Sequence, residues 1–253
     1  MRAAFTEKPI DIPTRETTRF LLSYLAPGAT ILEVGCGDGE VAFELASKGY
    51  RVTGLDSEFE RVAKAKLLGV NAKVAVWPQF NHELVDAIAF TRSVHHIDPL
   101  DKAVEKAREL LQPGGLLLIE DFAFGETDER TVRWFLKTLR SDQSKSHVVP
   151  VEGAFVTKLL SAENPMKAWH ENHNQALHSI TAITAAVLEQ FEILESGSVP
   201  YLYRYLIPVL PETKAAATFV TQVFDEESRA QDEIMLMGRR IVARPKRVDE
   251  QRR

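Results

Sequence analysis

Between Ile31 and Ile119, five short apolar runs alternate with amphipathic stretches, and no other feature of the chain restricts its fold so sharply. The runs lie at Ile31–Val34, Tyr50–Leu55, near Ala72–Val76, at Val85–Phe90 and at Leu116–Ile119. Their length and mainly apolar character suit buried strands. Between them, Val41, Ala42, Leu45 and Ala46 recur at helical spacing, and a helix is expected around Glu58–Leu68. Leu100, Ala103, Val104, Ala107, Leu110 and Leu111 form a longer apolar stripe of helical period. Lys48-Gly49 and Pro113-Gly114-Gly115 supply the stops, and a helix over 14–25 opens the series. Strands that alternate with helices pair in parallel through right-handed crossovers, so the spacing predicts an α/β, doubly wound, Rossmann-like sheet.

The rhythm changes after Glu120. Residues 121–178 carry helical patterns, with Val132, Phe135, Leu136 and Leu139 on one face and Asn164-Pro165 as a helix start. A helix at Ile180–Gln190 follows, then strands at Val199–Ile207 and Ile234–Ala243 around a helix carrying Phe219, Val220, Val223 and Phe224. Tyr201, Tyr203 and Tyr205 would form a row on one face of that sixth strand. The expected organisation is a single domain over 1–253. It comprises a ligand-binding half at 28–120, a helical lid and substrate insertion at 121–178, closing elements at 179–243 and a basic tail at 244–253.

A net charge of −5 argues against general nucleic-acid binding, which needs a field that attracts phosphate. Cys36 is the single cysteine, so no intrachain disulfide can form and a reducing compartment fits. The opening MRAAFTEKPI has no apolar signal-peptide core, and no run reaches the ~20 apolar residues of a membrane helix. A cytoplasmic location and no membrane partner are therefore expected.

The stretch ILEVGCGDGEVAFELA places Gly35, Gly37 and Gly39 between the first strand and its helix. A dinucleotide fingerprint would put glycine where Glu40 stands, and it binds a pyrophosphate at the helix start. Glu33 before the loop and Glu40 after it would repel a diphosphate and suit a ligand that is cationic at this point. Asp56, closing the second strand in VTGLDSE, can accept from both hydroxyls of a ribose.

With those residues in view, the stretch from Ile31 to about Phe122 resembles the class I S-adenosylmethionine-dependent methyltransferases. LEVGCGDGEVAFELA, VTGLDSE, VDAIAFTRSVHHIDPLDKAVEKARELLQPGG and LLLIEDF carry the likeness. The resemblance implies a seven-stranded sheet, mostly parallel with an antiparallel last strand, and S-adenosyl-L-methionine as cofactor. It implies that Gly35, Cys36, Gly37 and Gly39 pass along the methionyl end and that Glu33 helps hold the ammonium. By the same likeness Asp56 takes the ribose with Ser57 beside it, and Thr91 gives a backbone contact. The family's acid after the third strand is missing here: the segment reads AVWPQFN, where Trp77 is either a stacking platform for adenine or a core residue.

Methyl transfer from a sulfonium is an in-line displacement that asks for alignment and a dry pocket, with a base where the acceptor carries a proton. His96 and Asp121 at the strand ends, and His170 and His173 in the insertion, are the candidates, with Glu120 beside Asp121. In a helix starting at Pro165, Trp169 and His173 would share a face. The His170–His178 spacing matches no standard metal site, so no metal is expected. The aromatic residues of the insertion favour a small, partly apolar acceptor. Two alternatives stand: a transferase for protein or RNA using the basic tail as a docking arm, and a non-catalytic module that holds the cofactor.

Overall fold

The computed structural model describes residues 6–173 and 178–247. Residues 174–177 of the expected insertion and 248–253 of the expected basic tail lie outside the described residues. Helix α1 (Asp11–Leu22) precedes strand β1 (Thr30–Val34), α2 (Glu40–Ser47), β2 (Arg51–Asp56), α3 (Phe59–Leu67), β3 (Asn71–Val74), β4 (Val85–Thr91), α4 (Leu100–Leu110) and β5 (Leu111–Phe122). Next come α5 (Glu129–Leu139), α6 (Asp142–His147), α7 (Phe155–Ser161), α8 (Pro165–Asn172), α9 (Ile180–Gln190), β6 (Phe191–Val199), α10 (Lys214–Arg229) and β7 (Gly238–Pro245).

The strands form one seven-stranded sheet in the order β3-β2-β1-β4-β5-β7-β6. β1 runs parallel to β2 and β4, β2 to β3, and β4 to β5, while the last strands are antiparallel. The expected Rossmann-like, mostly parallel sheet is present. The order reverses between β1 and β4, and ligands of such sheets bind beyond the carboxyl ends of the strands at that point.

The chain divides into two compact units. One, the sheet unit, comprises 17–121, 178–197 and 239–253; the other, helical, comprises 1–16, 122–177 and 198–238. The core of the sheet unit gathers Ile31, Leu45, Val62, Ala87, Ala89 and Leu118. β4 is buried along almost its whole length, which explains why its sequence is nearly continuous in apolar residues. In the helical unit, Phe135, Trp169, Tyr203, Leu206 and Val220 form a second core. Asn164 accepts the backbone N–H of Lys167 at 3.0 Å and so caps α8, with Pro165 in its first turn. Among the described residues, no helix is long and apolar enough to cross a membrane.

Two late elements differ from the sequence reading. β6 occupies Phe191–Val199 instead of Val199–Ile207, and β7 begins at Gly238 instead of Ile234. The expected tyrosine row does not exist, because Leu202–Val209 is coiled into 3-10 turns. The cause is the carboxylate of Glu227, fully buried on α10. Its Oε1 accepts the backbone N–H of Tyr201 at 2.6 Å and of Leu202 at 3.0 Å, and its Oε2 that of Tyr203 at 3.2 Å. Three successive amides taken by one side chain are not available to a sheet ladder.

Burial pushes the Glu227 carboxyl up to about 7, against the pull of those three donors. Glu227→Ala strands the donors in the core of the helical unit. The variant is expected to lose about 3 kcal/mol of stability in urea unfolding, with the m-value unchanged.

Candidate active site

The loop after β1 is tied to the end of β2. The amides of Gly35 and Cys36 both donate to the Leu55 carbonyl at 2.8 Å, and Gly37 donates to Asp56 Oδ2 at 2.9 Å. Gly35 has φ +75°, and a Cβ there would lie 2.3 Å from that of Ser93. No other residue fits so close an approach of the loop to the end of β4. At Gly39, φ +93°, a Cβ would meet Ala65 of α3 at 2.7 Å, so this glycine lets α2 start against its neighbour.

Beyond the carboxyl ends of β1, β2 and β4 lies a cavity of about 670 Å³, lined among others by Gly35, Gly37, Asp56, Ser57, Thr91 and His96. Its size suits a small organic ligand. Asp56 accepts one backbone N–H on each oxygen, from Gly37 and from Glu58 at 2.9 Å. A carboxylate has about four acceptor sites, so capacity remains for two hydroxyls.

Glu33 is buried at 1% exposure, and Thr91 Oγ1 donates to its Oε1 at 2.6 Å. Its Oε2 is buried without a hydrogen-bond partner. Burial raises the carboxyl to about 7, although the Thr91 bond and the charge of Arg92 pull it down. A half-satisfied buried carboxylate beside the loop fits an ammonium. The Cys36 thiol is buried and pushed up to about 12 by burial, then by Glu33 and Asp56, so it is inert filler with its backbone in the loop.

Trp77 lines the cavity, yet its indole is committed to the core: it is 5% exposed and Nε1 donates to the Ala103 carbonyl at 3.0 Å. Its ring meets Phe90 edge-on at 6.0 Å.

The four candidate bases are placed differently. His96 lines the cavity with its ring tilted against that of His95, centroids 4.1 Å apart, and burial followed by the His95 charge lowers it below the ordinary histidine value. Asp121 is wholly buried, its Oδ1 2.7 Å from His95 Nδ1 and its Oδ2 taking the His95 backbone N–H at 3.3 Å. Glu120 accepts from Arg240 and, at 2.6 Å, from Thr17.

His170 and His173 belong to the helical unit, where they help line a separate cavity of about 620 Å³ with Phe124 and Met166. His173 Nδ1 sits 2.7 Å from the Trp169 carbonyl, which assigns the proton to that nitrogen. Nε2 then accepts from the Tyr205 hydroxyl at 2.7 Å, and burial lowers the ring's basicity. The i, i+4 partnership of Trp169 and His173 is present, with ring centroids 4.7 Å apart. Sequence reasoning missed Tyr205 as the partner of His173 and Arg240 as the partner of Glu120, since neither pair is close in sequence.

Comparison with known proteins is informative at this point. A family model described as Methyltransferase domain matches residues 9–154. The S-adenosyl-L-methionine-dependent Diels-Alderase iccD of Talaromyces variabilis is 34% identical over 142 residues, covering 49% of each chain. The chain thus spans about half the length of that relative. A ubiquinone biosynthesis O-methyltransferase of Alkalilimnicola ehrlichii is 24% identical over 76% of this chain and 82% of its own. The N-methyltransferase NodS of Bradyrhizobium japonicum, solved with S-adenosyl-L-homocysteine, shares the fold at a TM-score of 0.52 and 12% identity, covering 94% of this chain and 87% of that one.

Because Glu33 is raised from 4.5 to about 7, its proton favours the folded state, and that stabilisation is complete below the unfolded value. As pH rises through about 7, on the order of 3 kcal/mol is lost from this group. Thermal unfolding from pH 5 to 8 should therefore fall more steeply for the wild type than for Glu33→Gln.

Proposed function

This chain belongs to the methyltransferase domain family, and we propose that it moves the methyl group of S-adenosyl-L-methionine to a small, partly apolar acceptor by in-line displacement. The observation that carries this reading is the cavity beyond β1, β2 and β4, with Asp56 open to two hydroxyls and the Glu33 carboxylate half satisfied beside it. Glu33 would hold the ammonium of the cofactor and Asp56 its ribose, with Ser57, Thr91 and the Gly35–Gly39 backbone around the rest. When bound, the cofactor supplies a methyl group on a cationic sulfur that leaves as a neutral thioether.

The protein's part is alignment, exclusion of water and removal of a proton from the acceptor. His96 takes that proton, being in the cavity and neutral through the neutral pH range. Asp121 is a positioning residue, since it holds the His95 ring against which the His96 ring packs. His170 and His173 line the helical unit's own cavity beside Phe124 and are given no step in the transfer. The net charge of −5 supports a small molecule over a nucleic acid as acceptor.

The likeness to a Diels-Alderase favours a second reading, in which the cofactor is required but keeps its methyl group. A cycloaddition transfers no group, so the product decides. Incubation with methyl-labelled cofactor and a panel of phenols and amines should yield S-adenosyl-L-homocysteine and labelled acceptor. Cofactor binding with no S-adenosyl-L-homocysteine and no labelled acceptor across the panel would support the second reading.

Asp56→Ala is expected to weaken cofactor binding about 10- to 100-fold by calorimetry, through loss of two charge-assisted hydrogen bonds. Since His96 is lowered from its ordinary value of 6.5, kcat should have an acidic limb below that pH. His96→Ala should abolish that limb and lower kcat about 100-fold or more.

A further inference from the structure

Arg92 follows β4 directly and lines the same cavity. It is the one non-glycine residue with positive φ, at +63°, among the described residues. An L-residue with a long side chain adopts that conformation rarely, and such outliers gather where a fold holds a group for use. Glycine would fit this backbone without strain, so the guanidinium is what arginine adds here. Its own amide is spent on the Glu120 carbonyl at 2.6 Å, which pins the residue to β5.

The guanidinium is poorly engaged by the protein. Its nearest partners are Thr17 Oγ1 at 3.4 Å and Glu120 Oε1 at 3.6 Å, both longer than a good hydrogen bond. Glu120 is instead held closely by Arg240, with Nε and Nη2 each 2.7 Å from Oε2, and by Thr17 at 2.6 Å on Oε1. Two guanidinium groups thus draw on one buried carboxylate, and Arg92 has the weaker share. The other arginine lining the cavity, Arg61, has Asp38 at 3.1 Å. Arg92 keeps 32% of its side chain exposed.

The surroundings specify what such a cation would meet. The carboxylates that line the cavity have partners other than Arg92: Asp56 takes two backbone amides, Glu58 lies 3.7 Å from Arg61, and Asp98 lies 3.5 Å from His178. Glu33 is bonded by Thr91, the residue before Arg92, and among the described residues its other oxygen lacks a hydrogen-bond partner. A carboxylate acceptor bonded to the last residue of β4 and a planar guanidinium donor on the next residue match a zwitterion, in which an ammonium stands next to a carboxylate.

We propose that Arg92 is a carboxylate-reading residue of this cavity, contributed by the left-handed turn after β4. The carboxylate belongs either to the amino-acid end of the cofactor or to the acceptor. The proposal deepens the methyltransferase reading and rests on it.

Decarboxylated S-adenosylmethionine separates the two sources. Calorimetry would compare its Kd with that of S-adenosyl-L-methionine on the wild type, Arg92→Met and Arg92→Gly. The glycine variant removes the guanidinium and relieves the backbone together, so its melting temperature should equal or exceed that of the wild type. If the cofactor supplies the carboxylate, the wild type prefers the carboxylated compound roughly 10- to 100-fold, and both variants bring that ratio close to one while binding of the decarboxylated compound holds.

If the acceptor supplies it, both variants leave the ratio unchanged. In that case wild-type kcat/KM for acceptors bearing a free acid exceeds that for the matching amides, and the variants lose that preference. A ratio and an acid-over-amide preference both unaltered by Arg92→Gly overturn the proposal while leaving the methyltransferase reading intact. A wild type that binds neither sulfonium compound overturns both.

Discussion

The carbonyl of Leu55 accepts two consecutive amides, those of Gly35 and Cys36, and the next residue of the same strand takes Gly37 through its side chain. The course of the glycine loop is therefore dictated by the end of β2, with little left to the loop itself. Left-handed backbone at Gly35 follows from that tie, and it presses the loop against Ser93 at the end of β4. Three strand ends become one rigid rim. A cavity made this way is present before any ligand arrives, so binding need not order the loop and loses less conformational entropy.

Buried carboxylates in this protein illustrate how differently one group can be accommodated. Glu120 faces a guanidinium, Asp121 a histidine ring, and Glu227 three backbone amides. In each case desolvation is offset by donors of the chain itself. Glu33 differs, because one oxygen is bonded by Thr91 and the other lacks a close hydrogen-bond partner among the described residues. Arg92 is its cationic counterpart, a guanidinium held by long contacts while a neighbouring arginine takes the good ones. Groups left incomplete by the fold are the ones a charged ligand can complete.

The histidines follow the same logic. His95 and His173 are bound at Nδ1 by acceptors of their own unit, which fixes ring orientation and tautomer. His96 packs its ring, tilted, against that of His95 and lies in the cavity wall, where partial burial favours its neutral form. Hydrogen bonding, not residue type, thus sets which rings the fold holds in place, as the acceptors at Nδ1 of His95 and His173 show.

How much could be read without coordinates depended on the range of the interaction involved. The alternation from Ile31 to Ile119, the loop glycines and the acids Glu33 and Asp56 are local patterns, and they were sufficient for the sheet, its parallel pairing and the place of the cavity, because strand and helix periods are written residue by residue. The stretch after Tyr201 was misread, since its period-two tyrosines look like a strand until Glu227, some two dozen residues later, removes their amides from any ladder. In the same way the sequence leaves Trp77 equally a platform or a core residue, and only the fold shows that the Ala103 carbonyl holds its N–H while the residue lines the cavity. The division of charge among Glu120, Arg240 and Arg92 also came only from the fold, because it depends on which side chains converge in space. Backbone periodicity is a property of neighbours in the chain; the satisfaction of a buried polar group is a property of neighbours in space, and only folding decides who those are.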